Sequence, residues 1–168
     1  MIHRHSKILI ACALLLTSLS SWSLPDDSQQ EIRIASDSAS LDKAKGEIIY
    51  SGNVKMQQGS LNIQAQTLTL IRTVEGLQKI IATGSPARYE QTLNEQEGKT
   101  LAYGETIIYN TKIEQLTLLN NAGLEKQGNV FSGEKIVYLI KEQRVKAESP
   151  EQQNRIRMVI QPKKDKEP

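Results

Sequence analysis

Histidine, cysteine and tryptophan are all but missing from this sequence. His3, His5, Cys12 and Trp22 are the whole supply, and every one lies within the first 22 of 168 residues. From residue 24 onward there is no imidazole and no thiol, which excludes nucleophilic catalysis by a Ser-His or Cys-His pair. It equally excludes a disulfide and removes the usual ligands of zinc. No glycine-rich phosphate loop precedes a helical pattern. Asp37 and Asp42 are five apart and fit a turn cap or a solvated edge better than a metal site. Glutamate is plentiful, yet no carboxylate pair stands out. Long apolar runs are also scarce: the longest, Ile8 to Leu19, has 12 residues, short of the roughly 20 that a membrane-spanning helix needs. These absences favour a binding or carrier protein over an enzyme, with no cofactor and no metal.

The start of the chain has its own character. His3, Arg4, His5 and Lys7 precede the apolar run, and Ser21-Trp22-Ser23 follows it, an arrangement that predicts a secretory signal peptide over 1–23, cleaved after Ser23. Leu9-Ile10-Ala11-Cys12 has the look of a lipoprotein cleavage box, but only four apolar residues precede Cys12 and the run continues past it. Loss of the leader removes two of the 21 Lys+Arg and none of the 19 Asp+Glu, leaving a formal charge of zero. The sequence pI of about 8.6 therefore implies no nucleic-acid partner. Residues 24–30 read as a flexible segment, 31–161 as a β domain, and 162–168 as a disordered tail.

What is abundant is alternation. Ile48 to Leu70, IIYSGNVKMQQGSLNIQAQTLTL, runs apolar on alternate positions with breaks at Gly52 and Gly59, the period of half-buried strands. The rest of the chain copies it. Four segments begin with a small residue and a polar one: Ser36-Asp37, Ala65-Gln66, Gly104-Glu105 and Gly133-Glu134. Two positions on stand Ala39, Leu68, Ile107 and Ile136; four positions on stand Leu41, Leu70, Tyr109 and Tyr138. Returning strands run toward breaks at Gly52, Gly84 or Asn120, carrying Tyr50 and Ile48, Ala82 and Ile80, Leu118 and Leu116. Asn suits a break because it tolerates a left-handed backbone. The pattern predicts about four strand-pair units, none able to bury its own face alone. Two architectures satisfy it: two facing antiparallel sheets, as in a jelly roll, or a β-solenoid. The columns are aliphatic with few aromatics, which suits alkyl chains, although a dry sandwich core has the same composition.

Four motifs in register carry a resemblance. They are Ile32-x-Ile34-x-Ser36-Asp37-x-x-x-Leu41-Asp42; Gly52-Asn53-Val54 with Gln58-Gly59; Gly84-x-Pro86-Ala87-x-Tyr89; and Gly133-Glu134-Lys135-Ile136-x-Tyr138-Leu139-x-Lys141-Glu142-Gln143, followed by Lys146-Ala147. Behind a signal peptide, this set resembles the periplasmic lipopolysaccharide-transport proteins of Gram-negative bacteria, the organic-solvent-tolerance family. Asn120 where a Gly is expected and the connection over 90–99 depart from the pattern.

The resemblance implies an all-β fold, an open, twisted jelly roll of two antiparallel sheets forming a trough. It implies that the trough holds the acyl chains of lipid A. The lipid-binding residues would be Ile32, Ile34, Leu41, Ile48, Tyr50, Val54, Met56, Leu68, Leu70, Tyr89, Ile107, Tyr109, Leu116, Leu118, Ile136 and Tyr138. Arg72, Lys79 and Arg88 would form a basic rim. It further implies end-to-end association, linking an inner-membrane-anchored sister protein to the N-terminal domain of the outer-membrane translocon. Ile32 and Ile34 at one edge would meet Ile156, Met158 and Ile160 at the other, since unpaired strand edges invite a partner. The anchored sister protein and a dry structural adaptor are the alternatives.

Overall fold

In the computed structural model, residues 27–93, 98–149 and 155–162 are described. The stretch expected to be a signal peptide, most of the charged tail and part of the 90–99 connection lie outside them. Of the segment expected over 24–30, Asp27–Gln29 forms a single 3-10 turn.

Alternating apolar residues become strands throughout: β1 Ile32–Ala35, β2 Ser38–Asp42, β3 Glu47–Gln58, β4 Leu61–Thr73, β5 Gly76–Thr92, β6 Lys99–Asn110, β7 Gln115–Lys126, β8 Asn129–Leu139, β9 Arg144–Glu148 and β10 Arg157–Val159. All ten belong to one hydrogen-bonded sheet, along the path β1-β3-β4-β5-β6-β7-β8-β10, with β2 also on β3 and β9 also on β8. Every pairing is antiparallel. That decides between the two architectures, in favour of the open jelly roll.

The two expected sheets are two halves of this one sheet, divided by a crease. The register slips between Ser51 and Val54 on β3, Gln64 and Thr67 on β4, Thr83 and Ala87 on β5, Tyr103 and Thr106 on β6, and Leu119 and Ala122 on β7. Extra residues at such bulges bend a strand and sharpen its twist. Here they lie side by side across the whole sheet. Gly52, Gly84 and Asn120, expected at strand ends, therefore sit in the middle of long strands. Gly52, Asn53, Asn120 and Asn121 adopt the left-handed backbone that the bulges need.

Acid–asparagine contacts hold the crease. Asn53 Nδ2 donates to Asp37 Oδ2 at 2.9 Å, and Asn121 Nδ2 to Glu105 Oε1 at 2.8 Å. In two of the four repeated small-polar pairs the polar residue, Asp37 or Glu105, thus ties one strand's bend to its neighbour's. The edge strands are broken along the same line. β1 and β2 pair with different halves of β3, and β9 and β10 with different halves of β8.

The halves face each other. Lys126 Nζ donates to the Tyr138 hydroxyl at 2.8 Å, although Tyr138 pairs with Leu116, which is about 33 Å from residue 126 along a straight strand. The rings of Tyr89 and Tyr109, on opposite sides of the crease, meet edge-on at 6.2 Å. One apolar core fills the space between the halves. It takes Val54, Met56, Leu61, Ile63 and Tyr89 from one side, and Leu68, Ile80, Ile107, Leu116, Leu118, Ile136 and Tyr138 from the other.

A furrow between the two half-sheets

Toward the β1–β2 edge the halves part, leaving a cavity of about 1100 Å³. Its wall on one half comprises Ile48, Tyr50, Leu70, Arg72, Leu77, Tyr109, Thr111, Glu114 and Ile140; the other half contributes Ile32, Ile34, Gln58, Leu61, Gln91, Thr92 and Leu93. Asp27, Ser28 and Gln30 border it as well. On the β8 side the halves meet, with Lys126 bonded across to the buried Tyr138.

The predicted lipid-binding residues divide into three groups. Ile32, Ile34, Ile48, Tyr50, Leu70 and Tyr109 line the cavity together. Val54, Met56, Leu68, Tyr89, Ile107, Leu116, Leu118, Ile136 and Tyr138 share the inner face but are buried in the packed core. Leu41 is the cross-strand partner of Ile48, so it lies on the inner face, yet it remains 58% exposed at the sheet edge.

The three basic residues are not brought together. Arg72 borders the cavity. Lys79 alternates with buried Ile80, and Arg88 stands between buried Ala87 and Tyr89, which places both on the outer face. At the proposed association edges, Met158 pairs with Phe131, the partner of inward-facing Leu124. Ile156, Met158 and Ile160 therefore continue the inner face, with exposures of 44%, 53% and 68%. Ile32 and Ile34 do the same at the far edge, opposite Gln58 and Met56.

Of the furrow's polar residues, Asp27, Gln58 and Gln91 were not anticipated. The Tyr89 hydroxyl donates to Gln91 Oε1, and Gln91 Nε2 donates to Asp27 Oδ2 at 2.8 Å. Burial raises the Tyr89 phenol well above its usual range, with smaller contributions from Tyr109, Tyr138, Asp27 and Glu114. It is thus a neutral donor. Leu61 and Leu77 were missed too, although Leu61 continues the alternation of Ile63 and Ala65. Gln91 stands two places beyond Tyr89, a polar residue in an apolar column, and that was its only signal. Among the described residues no three His, Cys, Asp or Glu side chains gather as a metal site would require.

Comparison with known proteins gives a consistent result. The family described as "LptA/(LptD N-terminal domain) LPS transport protein" matches residues 33–144. The lipopolysaccharide export system protein LptH of Pseudomonas aeruginosa is 37% identical over 164 residues, covering 94% of each chain. The lipopolysaccharide export system protein LptA of Haemophilus influenzae is 35% identical, with 84% of each chain covered. LptA of Escherichia coli K12 is 30% identical, over 84% of this chain and 77% of its own. A crystal structure of P. aeruginosa LptH, the LptA-homologous periplasmic component of the conserved lipopolysaccharide transport device, superposes with a TM-score of 0.75. It is 38% identical and covers 82% of this chain and 100% of that one.

Proposed function

We propose that this chain, which belongs to the LptA/(LptD N-terminal domain) family of lipopolysaccharide transport proteins, carries lipopolysaccharide through the periplasm with acyl chains in the furrow. The observation that carries this reading is the cavity of about 1100 Å³ whose walls present Ile32, Ile34, Ile48, Tyr50, Leu70 and Tyr109 at the open edge of the sheet. Burying a methylene contributes about 0.8 kcal/mol, so a chain of a dozen carbons represents about 10 kcal/mol. No such lipid crosses water freely, whereas passage from one apolar furrow to another is nearly isoenergetic. The protein catalyses no reaction; it supplies a path.

Copies associate end to end, the β9–β10 edge of one beside the β1–β2 edge of the next. Charge supports this: the described residues of the first edge carry Arg144, Lys146, Arg155 and Arg157 against Glu148. The second carries Glu31, Asp37 and Asp42 against Arg33 and Lys43. The terminal copies meet an inner-membrane-anchored export protein on one side and the N-terminal domain of the outer-membrane translocon on the other. Spin labels at Ile34 and Tyr109 test the lipid site. Immobilisation on adding lipopolysaccharide is the expected result, and unchanged spectra would return the furrow to the status of a dry sandwich.

A further inference from the structure

The inner face of one half-sheet ends on a polar rung. Gln91 pairs with Thr100, and Thr100 with Lys126. Gln58 and Gln91 are both buried, and a buried amide needs partners. They find them in the segment before β1. Gln58 Nε2 donates to the carbonyls of Gln30 at 3.1 Å and Ser28 at 3.4 Å, and Gln91 Nε2 donates to Asp27 at 2.8 Å.

Asp27 lies in a cradle. Its Oδ1 accepts from the Ser60 backbone N–H at 2.6 Å, and its Oδ2 from the Ser60 hydroxyl at 2.7 Å as well as from Gln91. The Ser60 hydroxyl also lies 2.8 Å from the carbonyl oxygen of Thr92 and accepts from the Thr92 N–H at 3.1 Å. Gly59 makes the room, since a Cβ there would stand 2.1 Å from Asp27 Oδ1. Asp27, Gln58, Gln91 and Thr92 all border the furrow. Across it stand Arg72 and Glu114, the latter paired with Lys141 at 3.2 Å. Convergent N–H and O–H donors are a receptor for an oxyanion, and here the chain's own carboxylate, which borders the furrow, fills it.

We propose that this cradle is an anion subsite of the furrow. Asp27 occupies it when the furrow is empty, and the carboxylate or phosphate of an amphiphile takes it over when the amphiphile's tail enters the cavity. The proposal rests on the furrow being an acyl-chain site. A tethered carboxylate competes at high effective concentration, so the apparent affinity of an anionic amphiphile falls by the fraction of cradles that Asp27 holds. A neutral headgroup gains nothing from displacing it. The cradle thus favours anionic amphiphiles, and Asp27 sets how strongly.

The test is displacement of a neutral hydrophobic dye by dodecyl phosphate and by dodecyl maltoside, with the thermal midpoint of each variant recorded. Asp27→Ala should raise dodecyl phosphate affinity three- to tenfold and leave dodecyl maltoside within twofold; Asp27→Asn should act in the same direction. Adding Gln91→Ala to Asp27→Ala should abolish the gain. An equal gain for both detergents, or none for dodecyl phosphate, would overturn the cradle while leaving the furrow as a lipid site. Failure of both detergents to displace the dye from any variant would overturn the furrow reading and the cradle with it. Inorganic phosphate at 10 mM should not displace dodecyl phosphate from the Asp27→Ala protein; equal competition would assign the cradle to a free anion and overturn the headgroup proposal.

Discussion

Replacing Gly52 by alanine tests the crease on which the furrow depends. Gly52 has φ +83°, and a Cβ there would lie 2.2 Å from Asp37 Oδ2 and 2.8 Å from Asp37 Cβ. Two losses follow. A non-glycine residue in the left-handed region costs about 1–2 kcal/mol. The added methyl also drives Asp37 from its place, where its carboxylate accepts from Asn53 and its N–H donates to the Gly52 carbonyl at 3.0 Å. Each hydrogen bond contributes about 0.5–1.5 kcal/mol net, so the total loss is about 3 kcal/mol. At roughly 4 °C per kcal/mol for a domain of this size, the thermal midpoint falls about 10 °C. Gly98→Ala is the control: its φ is +66° and no described atom lies within 4 Å of the built Cβ. It should lose the backbone term alone, about 1–2 kcal/mol. Urea unfolding of both variants decides the matter. Equal losses would mean that the Asp37 contact contributes nothing, and that the bend is held by packing rather than by the acid–asparagine ties.

Tyr89→Phe leaves the Gln91 carbonyl oxygen without its phenol donor and should cost about 1–3 kcal/mol in urea unfolding. The Tyr89 phenol is raised above its ordinary value of 10.0, so its share of stability is complete below about pH 10 and lost as pH climbs toward the folded value, because only the unfolded chain ionises there. Tyr89→Phe should flatten that alkaline decline, and an unchanged slope would contradict the burial argument. Ile34→Asp puts a charge in the furrow wall at a half-buried site; lipopolysaccharide affinity should fall at least tenfold, by the about 1.5–3 kcal/mol of a lost aliphatic contact, with the unfolding midpoint little changed. Deleting 155–168 removes β10 and should leave monomers in sedimentation velocity runs, whereas persistent concentration-dependent oligomers would place the association edge elsewhere.

The inward-facing residues were legible because a strand repeats every two residues. Ile48 and Tyr50, Leu68 and Leu70, and Leu116 and Leu118 all face inward as their spacing predicts. The same rule, applied one position away, would have put Lys79 and Arg88 on the outer face beside Ile80 and Tyr89. The crease was half legible. Glycine and asparagine in the left-handed region serve a turn and a bulge equally, so Gly52, Gly84 and Asn120 announced a break without saying which. A shift in parity would have told: Leu61, Ile63 and Ala65 are odd, Leu68 and Leu70 even, and an apolar column changes parity within one strand only across a bulge. The cradle left no local trace, since Asp27 and Ser60 are 33 positions apart and each is unremarkable alone.

One crease explains both the furrow and the open ends. A sheet bent once across all its strands encloses an interior between its halves, and among the described residues no further strand pairs with the outer edges of the first and last strands. The inner columns therefore run out to Ile32, Ile34 and Leu41 at one edge and to Ile156, Met158 and Ile160 at the other, all apolar and most of them exposed. A soluble protein ordinarily blunts such edges with charge or a covering segment. If a second copy adds by strand pairing, the spacing across the junction is about 4.8 Å, the same as between strands within one copy. An acyl chain crossing it would meet side chains at the density it has just left, and each methylene would stay out of water, at about 0.8 kcal/mol apiece. On the end-to-end reading proposed above, the two edges are then continuous wall.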